Sequence, residues 1–425
     1  MPTVMLVSMV IFFVLSLPIA VSIGLASVTG IQLFGGVPML VVPKEIYSAI
    51  DKFPLVAIPF FILAGNIMEV GGISSRLVNF AKSIVGGMQG GLAMTCVITC
   101  MIFAAVSGSG PATTFAVGAI LIPALVKHGY PVTFAASLQA TSAELGVIIP
   151  PSIPMIIYGV SAEVSIAELF IAGFGPGLLI GGGLLIFVWC WCKVKGFGKD
   201  DHQGRMQFLQ ATKEAALALF MPVIILGGIY GGVFTPTEAS VVAVFYALIL
   251  GTCIYREIKF KDFFPILRKS VISSAVIMFI IANAGMFSYL IARAGVPEAL
   301  GEFLKLHLSS DVAFLLGINV ALFIIGMFIE TSSSIIVLAP ILVPVAIKFG
   351  IDPVHFGLIM VVNLACGMIT PPFGVNLFAA CTVAKISVDQ IIRELIPFVL
   401  TILTCLMLIT YFPPISLFLR DLVYR

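Results

Sequence analysis

The sequence predicts an all-α polytopic membrane protein of inverted-topology repeats, with two re-entrant helical hairpins and two broken helices. Composition is the first reason. Of 425 residues, 60% are hydrophobic and 10% charged; soluble domains carry about 25% charge, so most of this surface faces lipid. The second reason is a doublet that occurs twice, a polar loop paired with an interrupted apolar segment. S-G-S-G-P-A-T-T at Ser107 to Thr114 goes with G-V-I-I-P-P at Gly146 to Pro151. E-T-S-S-S at Glu330 to Ser334 goes with G-M-I-T-P-P at Gly367 to Pro372. A shift of 221 residues lays Pro123 on Pro344, Lys127 on Lys348, Gly129 on Gly350 and Pro150-Pro151 on Pro371-Pro372. Interrupted apolar segments at matching places in two halves point to a transporter's binding site.

The elements follow in order. Met1 to Ser16 has no basic start and apolar sequence resumes after Pro18, so this is a first span, about Thr3 to Ser27, and not a cleavable signal. A second span runs from about Phe53 to Val70. Residues 72–86 are too polar to cross and form an interfacial arm helix, matched by residues 295–307. Apolar sequence at 90–126 is interrupted only by Ser107 to Thr114. Two arms shorter than the roughly 20 residues of a full span predict a hairpin with its tip inside the membrane, where irregular backbone needs protein or water around it. Residues 131–160 form a helix broken at Gly146 to Pro151, because two prolines remove two amide donors. A span at about Ile166 to Trp191 closes the first repeat, residues 1–192. Lys193 to Glu214 is a soluble loop with five Lys or Arg. The second half, 215–425, has spans at about 215–232, 237–255 and 270–291, then the arm helix, a hairpin at 311–347, a broken helix at 353–384 and a final span at 391–418.

Parity supplies the third reason. Hairpins do not cross, so four crossings separate the second span from the span at 270–291, and the two doublets enter from opposite faces. Fifteen Lys and Arg fall on one side, including Arg76, Lys82, Lys127, the loop set, Arg256 to Lys269, Lys385 and Arg393. Seven fall on the other (Lys44, Lys52, Arg293, Lys305, Lys348, Arg420 and Arg425). The positive-inside rule makes the first side cytoplasmic. Nine crossings then put the amino terminus in the cytoplasm and the carboxyl terminus outside.

Few polar groups remain for chemistry. Net charge +2 without a basic stripe gives no footprint for nucleic acid, and eight cysteines within apolar runs suggest no disulfide framework. Helix ends at a tip expose carbonyls or amides, so Ser107, Gly108, Ser109 and Gly110 can turn oxygens on a hard cation. Thr331, Ser332 and Ser333 can do the same in the second copy, with Thr370 adding a hydroxyl at its break. At least two Na⁺ sites flanking a carboxylate substrate are expected. Thr113, Ser152, Ser334 and Asn376 are candidate substrate contacts. Asn363 and Asn376 bracket the second break, where hydrogen bonding between helices is the other use of such residues. Glu144 and Glu330 are the carboxylates nearest the breaks and tips; each either binds a cation, senses protons, caps a helix or reaches water.

The strings G-S-G-P-A-T-T, I-P-A-L-V-K-H-G-Y-P, G-V-I-I-P-P-S-I-P and G-M-I-T-P-P-F-G-V-N resemble the large permease subunit of tripartite ATP-independent periplasmic (TRAP) transporters. The resemblance spans essentially the whole chain. It implies an elevator-type, ion-transporter-like fold in the bacterial inner membrane. It implies Na⁺-coupled uptake of an organic acid of the C4-dicarboxylate or sialic-acid class, with a periplasmic substrate-binding protein and a small membrane subunit as partners. No fused extension is present, so the small subunit is expected as a separate chain. The family's cation pattern carries onto Ser107 to Gly110 with Gly146, Ile149 and Pro150, and onto Ile329 to Ser333 with Gly367, Thr370 and Pro371. The elevator body is expected to hold both hairpins and both broken helices, against a scaffold of the other spans.

Two other readings share parts of this pattern. A stand-alone Na⁺- or H⁺-coupled dicarboxylate carrier would need no binding protein. An intramembrane protease fails on residues: a rhomboid-type G-x-S-G needs glycine where Ser107 stands, and the four histidines lie in loops or at segment ends.

Overall fold

A computed structural model of the chain describes residues 1–34, 36–198, 208–308 and 310–424. Its regular structure, among the described residues, is helical throughout. The single first span expected from Thr3 to Ser27 is instead two short helices, Pro2–Val14 and Ile19–Phe34. Pro18 lacks an amide and Ser16 adopts a positive φ of 61°, so the helix stops and the chain doubles back. Met5 then packs against Gly30. At 13 residues the first piece is too short to cross a bilayer alone.

The second span is a 3-10 turn, Phe53–Val56, leading into Ala57–Val70. Ile73–Val85 is the first arm helix; Gly72, with φ 71°, turns the chain into it, and its apolar residues Ile73, Leu77, Val78 and Ala81 are buried. Gly91–Ser107 and Gly110–Lys127 form the first hairpin. Val132–Ala143, Leu145–Ile148 and Ile153–Ser161 form the first broken helix, bent by 42°. A 30-residue helix, Ile166–Lys195, follows.

Phe208–Tyr230, Pro236–Leu248 with its extension Ile249–Ile254, and the 34-residue Phe260–Arg293 come next. The expected soluble loop from Lys193 to Glu214 is shorter than predicted, because helix covers Lys193 to Lys195 and Phe208 to Glu214; its residues 199–207 lie outside the described ones. The second arm helix is Val296–His307 and the second hairpin is Asp311–Phe328 with Thr331–Lys348. Pro353–Met368 and Val375–Ala384 make the second broken helix. The last span ends at Tyr411 and not at Phe418. Pro413 and Pro414 stop it, and Pro414–Tyr424 forms a separate amphipathic helix.

The 221-residue register reaches individual helix ends. It carries Gly110–Lys127 onto Thr331–Lys348, both 18 residues long. The Pro150-Pro151 and Pro371-Pro372 bonds are both cis. Among the described residues nine helices are long and apolar enough to cross a membrane, three of them hairpin arms. The hairpin arms are therefore somewhat longer than the sequence suggested; Ser107 of the first tip is 3% exposed, and in the second Thr331 is 0% but Phe328 54% exposed.

Side-chain packing sorts the helices into two groups. In one, Asn66 donates to Ser270 Oγ (2.9 Å), Lys269 pairs with Glu69 (2.7 Å) and Arg76 with Glu257 (2.7 Å). These contacts tie Phe53–Val70 and the first arm helix to Phe260–Arg293 and the turn before it. Gly285 of the same long helix packs directly on Ala49 of Val41–Ile50. The other group holds both hairpins and both broken helices, joined by two spans the sequence reading placed in the scaffold. Gly173 and Gly177 of Ile166–Lys195 bed on Met155 and Ile149 of the first broken helix, and Gly181 on Met101 of the first hairpin. Phe398 of the last span packs between Phe134 (5.7 Å) and Phe187 (4.8 Å). Large helices approach this closely only where one side offers glycine.

The terminal helix is locked to the second group by Arg420, 3% exposed, which donates to Asp352 Oδ2 at 2.7 Å. Burial alone would raise the Asp352 carboxyl, but the Arg420 guanidinium and the amides of His355 and Val354 outweigh it and hold it below the ordinary carboxylate range. A folded pKa below the unfolded one stabilises above the unfolded value and is lost as pH falls through the folded one. The melting temperature should therefore drop below about pH 4. Arg420→Gln should lower melting at neutral pH and flatten that acid limb; an unchanged acid limb would remove the pair from the account.

Candidate functional site

Each hairpin's second arm starts from a capped tip that faces a helix break. At the first tip Gly108, with φ 62°, ends one arm, and Ser109 caps the next by accepting from the Ala112 amide (3.5 Å). Glu330, at the matching place, caps the second hairpin's arm by accepting from the Ser333 amide (3.1 Å). Both tips thus solve the same problem, the unpaired amides of a helix start, with different residue types.

The first tip gathers oxygens. Thr113 Oγ1 donates to Ser109 O (2.8 Å), Ser107 Oγ lies 3.1 Å from Thr113 Oγ1 and donates to Ser109 O (3.1 Å). Gly146 of the facing break closes the nest: a Cβ there would sit 2.7 Å from both Ser109 O and Thr113 Oγ1. A Cβ on Gly108 would sit 2.9 Å from Pro151 O, and the Ile153 amide donates to Gly108 O (3.4 Å). Tip and break therefore touch backbone to backbone. Uncharged hard oxygens packed closely against a glycine are a donor set of the kind a hard cation such as Na⁺ takes. Among the described residues no group of three His, Cys, Asp or Glu side chains converges as a metal site would need.

The other first-unit candidates fall around this nest. Ile149 ends the helix before the break, its amide donating to Leu145 O (2.9 Å) and its side chain resting on Gly177. Pro150 starts the cis pair. Ser152 is committed to the backbone: its hydroxyl donates to Val147 O (2.5 Å) and accepts from the Met155 amide (3.4 Å). The hydroxyl bridges the two broken pieces across the gap. Asn376, sequence-adjacent to the second break, lies beside the first tip. Its Nδ2 donates to Glu144 Oε1 (2.7 Å), and its amide packs on Gly110. Glu144 is fully buried, and among the described residues neither its second oxygen nor Asn376 Oδ1 has a hydrogen-bond partner.

The second unit is closed more by packing. Gly367 rests against the backbone of Gly326, so a side chain at either would overlap. The Phe373 amide donates to Met327 O (3.2 Å), joining break to tip as Ile153 and Gly108 do. Both oxygens of Glu330 are engaged, by Ser332 Oγ (2.9 Å) and by the Ser333 amide and hydroxyl, so it sits as a helix cap. Thr331 Oγ1 donates to Met368 Sδ (2.9 Å), Thr370 Oγ1 to Cys366 O (2.9 Å) and Ser334 Oγ to Ile329 O (3.5 Å). Ile329 is the extended linker residue, and Pro371 lies in the second cis pair.

Of the groups that seat these units, sequence reasoning named Asn363 and missed Gly65, Asn319 and Gly326. Gly65 of the second span lies against Ser107, at ordinary van der Waals distance. Asn363 Nδ2 donates to Asn319 Oδ1 (2.7 Å), and Asn319 Nδ2 to Thr410 Oγ1 (3.1 Å), linking the hairpin, the broken helix and the last span. Asn319, alone in an apolar arm, was a visible signal; Gly65 and Gly326 carried none.

A family model described as the tripartite ATP-independent periplasmic transporter, DctM component, matches residues 6–415. The chain is 41% identical to a C4-dicarboxylate TRAP transporter large permease protein of Rhodobacter capsulatus, over 96% of each. It is 43% identical to an isethionate TRAP transporter permease protein of Oleidesulfovibrio alaskensis, over 96% of this chain but 64% of that longer one. A sialic acid TRAP transporter large permease protein of Vibrio cholerae is 37% identical, over 89% of each. In structure the chain is similar to the Alcanivorax borkumensis YdaH transporter, at a TM-score of 0.65 over 88% of each and 16% identity, a likeness of fold.

Gly110→Ala should push a methyl into the Asn376 amide and break its bond to the buried Glu144. Leaving a buried polar group unpaired costs about 1–3 kcal/mol. Thermal melting of the purified protein should fall for this variant and stay unchanged for Gly182→Ala, a helical glycine with open space around it. Equal melting of the two would refute the contact.

Proposed function

Because this chain belongs to the DctM component of the tripartite ATP-independent periplasmic transporters, the large permease of a binding-protein-dependent system, we propose that it couples uptake of an organic acid to Na⁺ by an elevator movement. The family works with a small membrane subunit and a periplasmic substrate-binding protein. The observation that carries the coupling is the oxygen nest of Ser107, Ser109 and Thr113, packed against Gly146.

In this reading Na⁺ takes its ligands from that nest and from the backbone of tip and break. Gly108, Gly110, Ile149 and Pro150 shape the first cage. Thr331, Ser332, Ser333, Gly367, Thr370 and Pro371 shape the second, with Ile329. Occupied cages order the tips, and the amide ends of the half-helices then face the substrate carboxylate. Thr113, expected from the sequence as a substrate contact, joins the first cage in this reading, and Ser334 sits one turn inside the second tip, where substrate contact would follow. Ser152 and Asn376 act by holding the frame, since both are bonded within the protein. The substrate class proposed is C4-dicarboxylate or sialic acid, as the relatives' names suggest. The binding protein delivers it at the outer face of the inner membrane.

The elevator body proposed is the whole second packing group, including Ile166–Lys195 and Val388–Tyr411. It slides on the group built around Phe53–Val70 and Phe260–Arg293, with the arm helices Ile73–Val85 and Val296–His307 as straps. Uptake by the purified complex in liposomes should require Na⁺; transport that proceeds equally without it would end the coupling claim. Thr113→Ala should raise the half-saturating Na⁺ concentration about tenfold, as loss of one ligand worth about 1.4 kcal/mol does. A curve that does not move would take Thr113 out of the cage.

A further inference from the structure

The geometry points to an anionic phospholipid site at the start of Phe260–Arg293, with Lys261 and Arg268 holding the headgroup phosphate, Phe260 and Phe264 beside them at headgroup level, and Leu267 and Val271 meeting the acyl chain. The helix has 34 residues, about 51 Å at 1.5 Å per residue, against a hydrocarbon core of about 30 Å. Its first turns therefore reach headgroup level. Phe260 is 93%, Phe264 74%, Leu267 47% and Val271 63% exposed. Spacings of three and four residues put these side chains on one stripe.

Lys261 and Arg268 are seven residues apart, two helical turns, and so lie together along one edge of that stripe. Among the described residues neither has a carboxylate within salt-bridge distance. Their neighbour Lys269 points the other way and is paired with Glu69 (2.7 Å). The acid of the segment, Asp262, is engaged by the Lys259 amide (2.9 Å). One edge thus carries unpaired positive charge beside exposed apolar side chains at the depth where a lipid changes from phosphate to hydrocarbon. Lone apolar exposure would suit any lipid. The two cations select an anionic one, at about 1 kcal/mol each.

The test compares the full-length wild type with Lys261→Gln/Arg268→Gln, both in nanodiscs of phosphatidylcholine with or without phosphatidylglycerol. Lipids retained after extraction are counted by native mass spectrometry, and melting is followed in parallel. The wild type should retain phosphatidylglycerol preferentially and melt higher in its presence. The double variant should lose about thirtyfold of that preference, while melting like wild type in pure phosphatidylcholine. Lys261→Arg/Arg268→Lys should keep the preference. Equal retention of the two lipids by wild type, or an unchanged preference in the Gln variant, would overturn the site. So would loss of the small membrane subunit from the Gln variant with lipid retention intact, which would make this edge a protein contact.

Discussion

Everything else in the molecule depends on one constraint: four stretches of non-helical backbone interrupt an apolar body, the first tip and break largely buried and the second pair part-exposed. Each must find partners there, because an unsatisfied amide or carbonyl in such surroundings costs several kcal/mol. The chain meets the demand by facing each tip with a break. Ile153 donates across to Gly108, and Phe373 across to Met327. Glycine at 108, 146, 326 and 367 removes the side chains that would hold those backbones apart. The arrangement then leaves carbonyl and hydroxyl oxygen concentrated at two points of an otherwise hydrocarbon interior. That concentration of oxygen is what the cation cages proposed above would use.

The two units are not independent. The second piece of each broken helix packs on the other repeat: Val375–Ala384 against the first hairpin, Ile153–Ser161 against the second. Asn376 reaches Glu144, and Tyr158 donates to Pro353 O (2.6 Å). A displacement at one tip therefore cannot stay local. This exchange of partners is what makes two similar half-sites into one body, and it explains why the long spans bearing Gly173 and Phe398 belong with the hairpins.

Much of this was legible in the sequence, for identifiable reasons. Pro-Pro beside Gly in an apolar run has few structural outcomes, so both breaks and both hairpins lay where the 221-residue register put them. The boundary errors came from prolines read too lightly: Pro18 at the first helix pair, Pro413 and Pro414 at the last. Partner choice was less readable. Asn376 belonged by register to the second break and lies at the first tip, since register says nothing of which neighbour a helix half crosses. Of the uses the sequence left open for Glu330, the hydrogen bonds show the helix cap, the role Ser109 has in the first copy. The grouping of the spans depended on glycines at 173, 177 and 181, which meet their partners only in three dimensions.

The asymmetry between the copies carries the last step. Where the first tip has Ser107, the second has Phe328; where the first break ends in Ser152, the second has Phe373. Phe328 and Phe373 lie 6.0 Å apart, ring to ring, and are 54% and 60% exposed, so the second break opens to the surface at the place where the first is buried and lined by hydroxyls. The carboxylates are exchanged as well: Glu144 stands behind the first break without a counterpart, Ala365 taking its place, and Glu330 stands in the second tip opposite Ser109. Two sites of equal backbone design thus differ in how wet and how negative their surroundings are. For the two cation cages proposed above, that difference in surroundings would set unequal affinities, since affinity in a cage of neutral oxygens depends on its outer environment.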